Sequence, residues 1–266
     1  MSVRRALGLA CVTVLATISF TAESRAATII ADAFTVANGS FIPGGVQNTG
    51  KAPVGTNLPG GNYLVTGGGG GDGRYFSNTA EMHNGGGVAI QLGSYNDSTV
   101  LTASADISFN NVTAPVQATG YALLGFSTVA GNGNYSPSSP VPNFTGLRVN
   151  LDGSVALVVQ GSIGSAIAYG GTYTQATPQR LSYTVNTTTG AISDITFGSS
   201  TASYNFVTTG ITNARTELFG IGGSVNNTQN YARFDNLLLE TAAVPEPAAI
   251  GLVAALAPLA LRRRSR

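Results

Sequence analysis

The chain of 266 residues is poor in charge: 9% of its residues are charged, against roughly 25% in ordinary soluble domains, and 35 are glycine. This length accommodates one large domain or two small ones, and one β-sandwich with a single core is the expectation. Between residues 27 and 244, ten acidic side chains face six basic ones, so the mature body is mildly acidic and nucleic acid is excluded as an expected partner.

The N-terminus has the three parts of a secretory signal. Arg4 and Arg5 provide the positive start, residues 6–20 form an apolar stretch, and a small-x-small cleavage site ends at Ala26. We therefore predict export through the Sec translocon, with cleavage between Ala26 and Ala27. The chain's one cysteine lies within this signal, so the mature protein is expected to lack disulfides and cysteine-based sites.

The middle of the chain consists of short apolar stretches separated by Gly, Asn, Asp and Pro, and no segment shows the periodicity of an amphipathic helix. This pattern predicts an all-β, antiparallel β-sandwich. The predicted strands are Thr28–Phe34, Tyr63–Thr66, Val88–Leu92, Thr99–Phe109, Tyr121–Ser127, Leu147–Leu151, Val155–Gln160, Arg180–Val185, Ile192–Phe197, Leu218–Ile221 and Tyr231–Leu239.

Two hairpins stand out within this pattern. Leu147–Leu151 and Val155–Gln160 are joined through Asp152–Gly153, a dipeptide that tolerates the positive φ angles of tight turns. The strand Arg180–Val185 alternates apolar and polar residues and leads into a turn at Gly190. Each such strand is expected to bury one face and expose the other.

Three segments resemble the concanavalin-like, or laminin-G-like, jelly roll: Ala31–Phe34 as a first strand, Gly146–Val155 as a central hairpin, and Ala232–Leu237 as a closing strand. The resemblance implies one sandwich domain over residues 27–243, with two antiparallel sheets packed face to face. Related sandwiches often tie their first and last strands through acidic side chains. The resemblance therefore implies a structural calcium ion at Asp32 and Asp235, with turn capping or solvation as the alternative role of these acids.

The C-terminus, residues 244–266, resembles the PEP-CTERM sorting signal. An apolar run of fourteen residues, Ala248–Leu261, follows a proline-rich motif and precedes a cluster of arginines, which the positive-inside rule keeps cytoplasmic. The run is short against the ~20 residues of an untilted membrane span, so a transient inner-membrane anchor is expected. The motif is Val244, Pro245, Glu246 and Pro247, and the arginines are Arg262, Arg263, Arg264 and Arg266.

This resemblance implies processing by a membrane-embedded protease of the exosortase type, followed by delivery to the cell surface or to an extracellular exopolysaccharide matrix. An ordinary tail anchor with a chance Pro-Glu-Pro motif is the alternative.

No constellation in the sequence predicts an enzyme. His83 is the sole histidine, and a catalytic triad or a zinc site would have to depend on it. Jelly-roll glucanases commonly carry Glu-x-Asp-x-Glu on one strand, and no such triplet occurs. A glycosidase would require the fold to bring two distant carboxylates together, and it stays as the distant alternative.

Sugar binding generally stacks an aromatic ring on a pyranose, and this chain has no tryptophan but ten tyrosines. Tyr95, Tyr135 and Tyr173 lie in polar or glycine-rich contexts and are the candidate ligand-binding residues, whereas Tyr121 and Tyr183 are predicted to lie in the core. The leading prediction is a non-catalytic, exported surface or matrix protein without an obligatory cofactor. The alternative is a carbohydrate-binding, lectin-like module that contacts exopolysaccharide.

Overall fold

A computed structural model describes residues 26–35, 39–40, 63–66, 73–82, 86–92, 100–109, 120–127, 144–206, 218–224 and 231–241. Residues Ala27–Ala242 belong to one compact unit. The described part contains strands and turns without helix. Its strands are β1 (Thr28–Asp32), β2 (Gly39–Ser40), β3 (Leu64–Thr66), β4 (Gly73–Phe76), β5 (Thr79–Met82), β6 (Gly86–Gln91), β7 (Val100–Phe109), β8 (Tyr121–Ser127), β9 (Thr145–Asn150), β10 (Val155–Val159), β11 (Ser162–Ile163), β12 (Gln179–Asn186), β13 (Ile192–Phe197), β14 (Leu218–Ser224) and β15 (Ala232–Thr241).

The strands form two antiparallel sheets. The eight-stranded sheet has the order β13-β12-β7-β15-β5-β4-β2, with β1 also paired to β15. The seven-stranded sheet has the order β11-β10-β9-β8-β14-β6-β3. The two sheets enclose one main hydrophobic core. The prediction of an all-β antiparallel sandwich of the jelly-roll type is therefore confirmed.

Two strands, Tyr121–Ser127 and Ile192–Phe197, have the predicted bounds. In contrast, β5 (Thr79–Met82) was not predicted, because this four-residue strand is too short to show a period and contains a charged residue. The buried Glu81 is explained by its cross-strand ion pair with Arg233 of β15.

The core lies between the sheets, and side chains from both sides meet there. One row crosses the seven-stranded sheet in register through Leu157, Leu147, Leu124, Ile221 and Val88. Opposite this row, the fully buried Tyr183 of β12 donates a hydrogen bond from its hydroxyl to the carbonyl of Leu124, at 3.1 Å. Burial raises the pKa of Tyr183, since the phenolate would be desolvated. Tyr183 therefore lies in the core, as predicted, and links the two sheets.

Part of the outer face of the seven-stranded sheet is buried as well. A second apolar cluster there consists of Ala89, Leu123, Phe144, Val158 and Leu218, with Tyr121 packed against it. Tyr121 was predicted as a core residue, and this is wrong in detail. The alternation of β8 directs its neighbour Ala122 into the main core and Tyr121 to the outer face.

A row of small residues runs through this outer face. Gly146, Gly125, Gly220 and Ala89 are directly opposed on four neighbouring strands. A Cβ atom at Gly125 would lie 2.6 Å from the ring of Phe144 and 2.6 Å from the carbonyl oxygen of Thr145. The absence of side chains therefore allows the strands and the Phe144 ring to approach closely.

The segment that joins β11 to β12, residues 164–178, crosses from one sheet to the other, and we call it the side strap. Ile167 pairs with Val155 of β10 in the seven-stranded sheet. Gly170 accepts hydrogen bonds from the backbone and side chain of Thr201, just beyond β13 of the eight-stranded sheet. Further along, Gln175 bonds to the backbone of Phe109 and Leu151. The side strap thus covers strand edges that would otherwise present unpaired backbone groups.

Candidate functional site

Several predicted site residues lie outside the described residues: Tyr95, Tyr135, His83, the motif Val244–Pro247 and the arginines 262–264 and 266. Among the residues that are described, no helix has the length and apolarity required to cross a membrane. The predicted signal cleavage point is described on both sides. Ala26 and Ala27 are exposed, and the amide of Ala27 donates to the side chain of Thr241 at 2.9 Å. The predicted start of the mature chain is thus anchored to the end of β15.

The two acids predicted to share a calcium ion lie in separate environments. Asp32 is buried, and its carboxylate accepts bonds from the Tyr63 hydroxyl at 2.9 Å and from the backbone of Phe34 at 2.7 Å. Asp32 opposes the buried Leu237 and therefore faces the core, because opposed residues share a face. Asp235 opposes Asp106 on the outer face. The structure does not bring Asp32 and Asp235 together, and the described residues contain no group of three or more metal-ligating side chains.

Two carboxylates do come together elsewhere, at Asp106 and Asp235 on the outer face of the eight-stranded sheet. Arg180 donates to Asp106 at 3.3 Å and to Ser104 at 2.6 Å, and the amide of Asn236 donates to the other oxygen of Asp106 at 2.7 Å. Asp106 thus has a cation and a side-chain amide as partners, whereas Asp235 accepts a bond from the backbone amide of Asn236 at 2.7 Å. This arrangement is that of a structural ion-pair network on a sheet surface rather than of an acid and base facing a substrate.

The asymmetry of this pair predicts opposite effects of the same charge removal. Burial and the neighbouring Asp106 raise the pKa of Asp235, so this carboxylate is protonated more readily in the folded than in the unfolded state. Stability contributed by protonated Asp235 is fully present below the ordinary aspartate pKa and is lost as pH rises through the raised value. We expect Asp235→Asn to increase the free energy of unfolding by about 0.5 kcal/mol at pH 7, and by less at pH 3.

The matched variant is Asp106→Asn, which removes the same like-charge repulsion but also the partner of Arg180 and one acceptor of Asn236. We expect it to lower the free energy of unfolding by about 1 kcal/mol. Urea denaturation of both variants measures the difference. Equal stabilisation by the two substitutions would show that the network around Asp106 contributes nothing.

A second ion pair on the same face is more buried. Glu81 of β5 is fully buried, and Arg233 of β15 reaches the same carboxylate oxygen with Nε at 2.7 Å and Nη2 at 2.6 Å. The two residues are cross-strand partners. Their geometry suits a structural role, because the guanidinium of Arg233 is hydrogen-bonded to the carboxylate of Glu81 and the two residues lie on adjoining strands of the sheet.

Of the three candidate tyrosines, Tyr173 is the one that the structure describes. It belongs to an aromatic cluster formed by two residues of the side strap and one residue of β13. This tyrosine cluster consists of Tyr169, Tyr173 and Phe197, with ring centroids 5.2 to 5.9 Å apart. The Tyr173 ring lies on Gly153 of the β9–β10 turn, where a Cβ atom would be 2.5 Å from it. Gly153 has a φ of 80°. Glycine is therefore required at this turn both for its conformation and for the ring.

The polar surroundings of the cluster are formed by hydroxyl and amide groups. The hydroxyl of Tyr169 lies 3.1 Å from that of Ser199 and 3.3 Å from the side-chain oxygen of Gln179. The hydroxyl of Tyr173 is buried and has no hydrogen-bond partner among the residues that the structure describes. Burial, Tyr169 and Asp152 raise its pKa. A buried hydroxyl without a direct protein partner is ordinarily satisfied by an ordered water molecule.

Tyr169 was not singled out in the sequence. It lies four residues before Tyr173 in the stretch Tyr169–Tyr173, which reads Tyr-Gly-Gly-Thr-Tyr. Two tyrosines separated by glycines in an irregular segment were the available signal. That signal indicates neither the path of the side strap nor the ring contact with Phe197.

The β9–β10 hairpin also carries a network of hydrogen-bonded polar side chains. Arg148 donates from Nε to Asn150 at 2.7 Å, and its guanidinium carbon lies 4.3 Å from the ring centroid of Tyr121. The amide nitrogen of Asn150 donates to Ser154 at 2.9 Å, and the Ser154 hydroxyl donates to Asp152 at 2.6 Å. The hairpin thus links this network to Gly153 and the tyrosine cluster.

Comparisons with known proteins were made for the whole chain. A scan against models of protein families finds no match, and a search of curated proteins finds none either. Among solved structures, the carbohydrate recognition domain of Emp46p in its metal-free form is similar with a TM-score of 0.48 and 12% identity, covering 68% of this chain and 89% of that domain. The metal-free exoplasmic/lumenal domain of VIP36 has a TM-score of 0.45 and 10% identity, covering 82% of this chain and 93% of that domain.

A sialidase mutant from Trypanosoma rangeli that displays trans-sialidase activity is also similar, with a TM-score of 0.41 and 13% identity. The match covers 71% of this chain and 28% of the sialidase. Likenesses at these identities and TM-scores transfer neither a ligand nor a reaction. The fold class rests on the two sheets themselves, and function has to be argued from side chains.

Proposed function

We propose that the β-sandwich body is a non-catalytic, extracellular carbohydrate-binding domain. The observation that carries the proposal is the tyrosine cluster. Tyr169 and Tyr173 are half-buried rings, and the Tyr169 hydroxyl lies beside the Ser199 hydroxyl and the side-chain oxygen of Gln179. Apolar ring faces combined with neutral hydrogen-bonding groups suit the mixed surface of a sugar.

The absence of catalysis is supported by the carboxylates that the fold brings together. Asp106 is bound by Arg180 and Asn236, and Glu81 is bound by Arg233. A glycosidase requires one carboxyl group to deliver a proton and another to act as nucleophile or base across a scissile bond. Carboxylates occupied by arginines on an outer sheet face are poorly suited to either role.

Tyr169→Ala tests the binding role of this cluster. The substitution removes one of its partly exposed rings, so we expect affinity for polysaccharide to fall about tenfold. Tyr173→Phe, which keeps the ring on Gly153 and removes only a buried hydroxyl, is expected to bind like the wild type. Binding of the full chain to a polysaccharide panel, with and without calcium, measures this.

The matched control is Tyr183→Phe, which removes a core hydroxyl bonded to Leu124 and leaves the tyrosine cluster intact. It is expected to lower stability and to leave affinity unchanged. A chain that binds no polysaccharide, or a Tyr169→Ala variant that folds and binds like the wild type, would contradict the proposed function.

The export and sorting of this body are proposed from the ends of the chain. We propose that the signal directs export through Sec, that an exosortase-type protease acts at Val244–Pro247, and that the body then reaches the cell surface or exopolysaccharide. Replacing Glu246 with Ala is expected to leave a chain that retains Ala248–Leu261 and stays in the membrane fraction. Mass spectrometry of the C-terminus in both fractions tests this, and a secreted wild-type chain that still carries residues 248–266 would contradict it.

A further inference from the structure

Arg148 differs from the other described arginines in having no acidic partner. Three arginines have side chains that the structure describes, and two of them pair with carboxylates: Arg180 with Asp106 and Arg233 with Glu81. Within the described part of the chain, no carboxylate lies within 4.0 Å of the Arg148 guanidinium. In a protein with so few charges, a cation without a counter-charge requires an explanation.

The guanidinium of Arg148 is nevertheless held in place. Its Nε donates to Asn150, which is itself bonded to Ser154, and its plane is supported by the ring of Tyr121. These contacts use Nε and one face of the group. Both terminal amino groups are left without a hydrogen-bond partner among the described residues, and they form the fork that binds carboxylates in a bidentate manner.

The surroundings of Arg148 strengthen its electrostatic attraction for an anion. Arg148 is half-buried, and this burial lowers its pKa. The residues opposite it on the two neighbouring strands are Ala156 and Leu123, and neither side chain offers an acceptor. A partly desolvated cation beside apolar side chains attracts an anion more strongly than a fully hydrated cation does.

We infer that Arg148 binds the carboxylate of an acidic polysaccharide, such as a uronic acid unit, through its two terminal amino groups. This rests on the proposed function and names the class of carbohydrate. A planar carboxylate matches the single arginine fork, whereas the mildly acidic body repels the denser charge of sulfated or phosphorylated polymers. The β9–β10 hairpin connects this anion site with the tyrosine cluster.

The test compares polygalacturonate with its fully methyl-esterified form, using the full chain. Both polymers present the same ring, and only the first presents the carboxylate. The wild type is expected to bind polygalacturonate about tenfold more tightly than the ester. Arg148→Gln is expected to abolish this preference and to retain binding to the ester, and Arg148→Lys, which keeps the charge without the fork, is expected to restore it only in part.

The outcomes separate this inference from the proposed function. Equal binding of both polymers by the wild type would overturn the role of Arg148 and leave the proposed function intact. Loss of ester binding in Arg148→Gln would have the same meaning, because the ester has no carboxylate for Arg148 to bind. Tighter binding of dextran sulfate than of polygalacturonate would also overturn it, by showing general attraction to polyanions. If neither galacturonan nor any other polysaccharide binds, the proposed function itself fails. Circular dichroism of each variant establishes that the sheets are retained.

Discussion

Replacing Arg233 with Met is expected to lower the free energy of unfolding by about 3 kcal/mol, because it leaves the fully buried carboxylate of Glu81 without its guanidinium. Methionine retains an unbranched apolar stem and removes the guanidinium with its charge. A surface ion pair would be worth less than about 1 kcal/mol, so the magnitude reports the burial of Glu81. Denaturation in urea at neutral pH measures the loss.

The double variant Glu81→Met and Arg233→Met is the control for this result. Replacing both partners of a buried ion pair with apolar residues is often neutral or stabilising, so we expect it to recover most of the stability lost in Arg233→Met. Equal destabilisation in the single and double variants would indicate that Arg233 acts through its packing rather than through its charge.

Replacing Gly125 with Ala is expected to destabilise the protein by about 3 kcal/mol or more. Its new methyl group would meet the Phe144 ring and the Thr145 carbonyl at 2.6 Å and the Gly146 backbone at 2.8 Å. Two of these three neighbours are backbone atoms of β9, so the clash is relieved only if β8 and β9 separate. Thermal unfolding and the yield of soluble protein measure the effect.

Gly164→Ala is the matched control for the glycine row. A methyl group there would meet only the carbonyl oxygen of Leu157, at 3.3 Å, so we expect a change below about 1 kcal/mol. Adding Phe144→Leu to Gly125→Ala removes the ring clash but not the backbone clash, and it should restore little. Full recovery in that double variant would mean that the ring alone requires the glycine.

The fold class was predictable from the sequence because short apolar runs are separated by turn residues along the middle of the chain, although alternation is clear only in strands such as β12. The chemistry of the acids was not, and β15 shows why. Its pairing with β7 shifts register between Asp235 and Leu238, where Asn236 takes a φ of 48°. This bulge changes which residues face inward, so Phe234 and Leu237 are both buried. Counting along the strand therefore cannot show that Asp32 and Asp235 lie on opposite faces.

The candidate binding residues were predictable only in part for a related reason. Alternation places Arg148 and Asn150 on the opposite face of β9 from Leu147 and Val149, so their exposure was available from the sequence. Their meeting with Tyr121 depends on the register between β8 and β9. The environment of Tyr173 depends on the path of the side strap, which has no periodic pattern and is set by contacts with both sheets.

The position of β15 between other strands has a mechanical consequence. β15 lies within the eight-stranded sheet, bonded to β7 along one side and to β5 and β1 along the other. A pull applied to the chain beyond Thr241 would load this strand along its own axis. Its cross-strand hydrogen bonds would then resist in shear and share the load, instead of opening one after another as in a peeled edge strand. If the body is tethered through its C-terminus, a pulling force acts on a strand that is hydrogen-bonded on both sides.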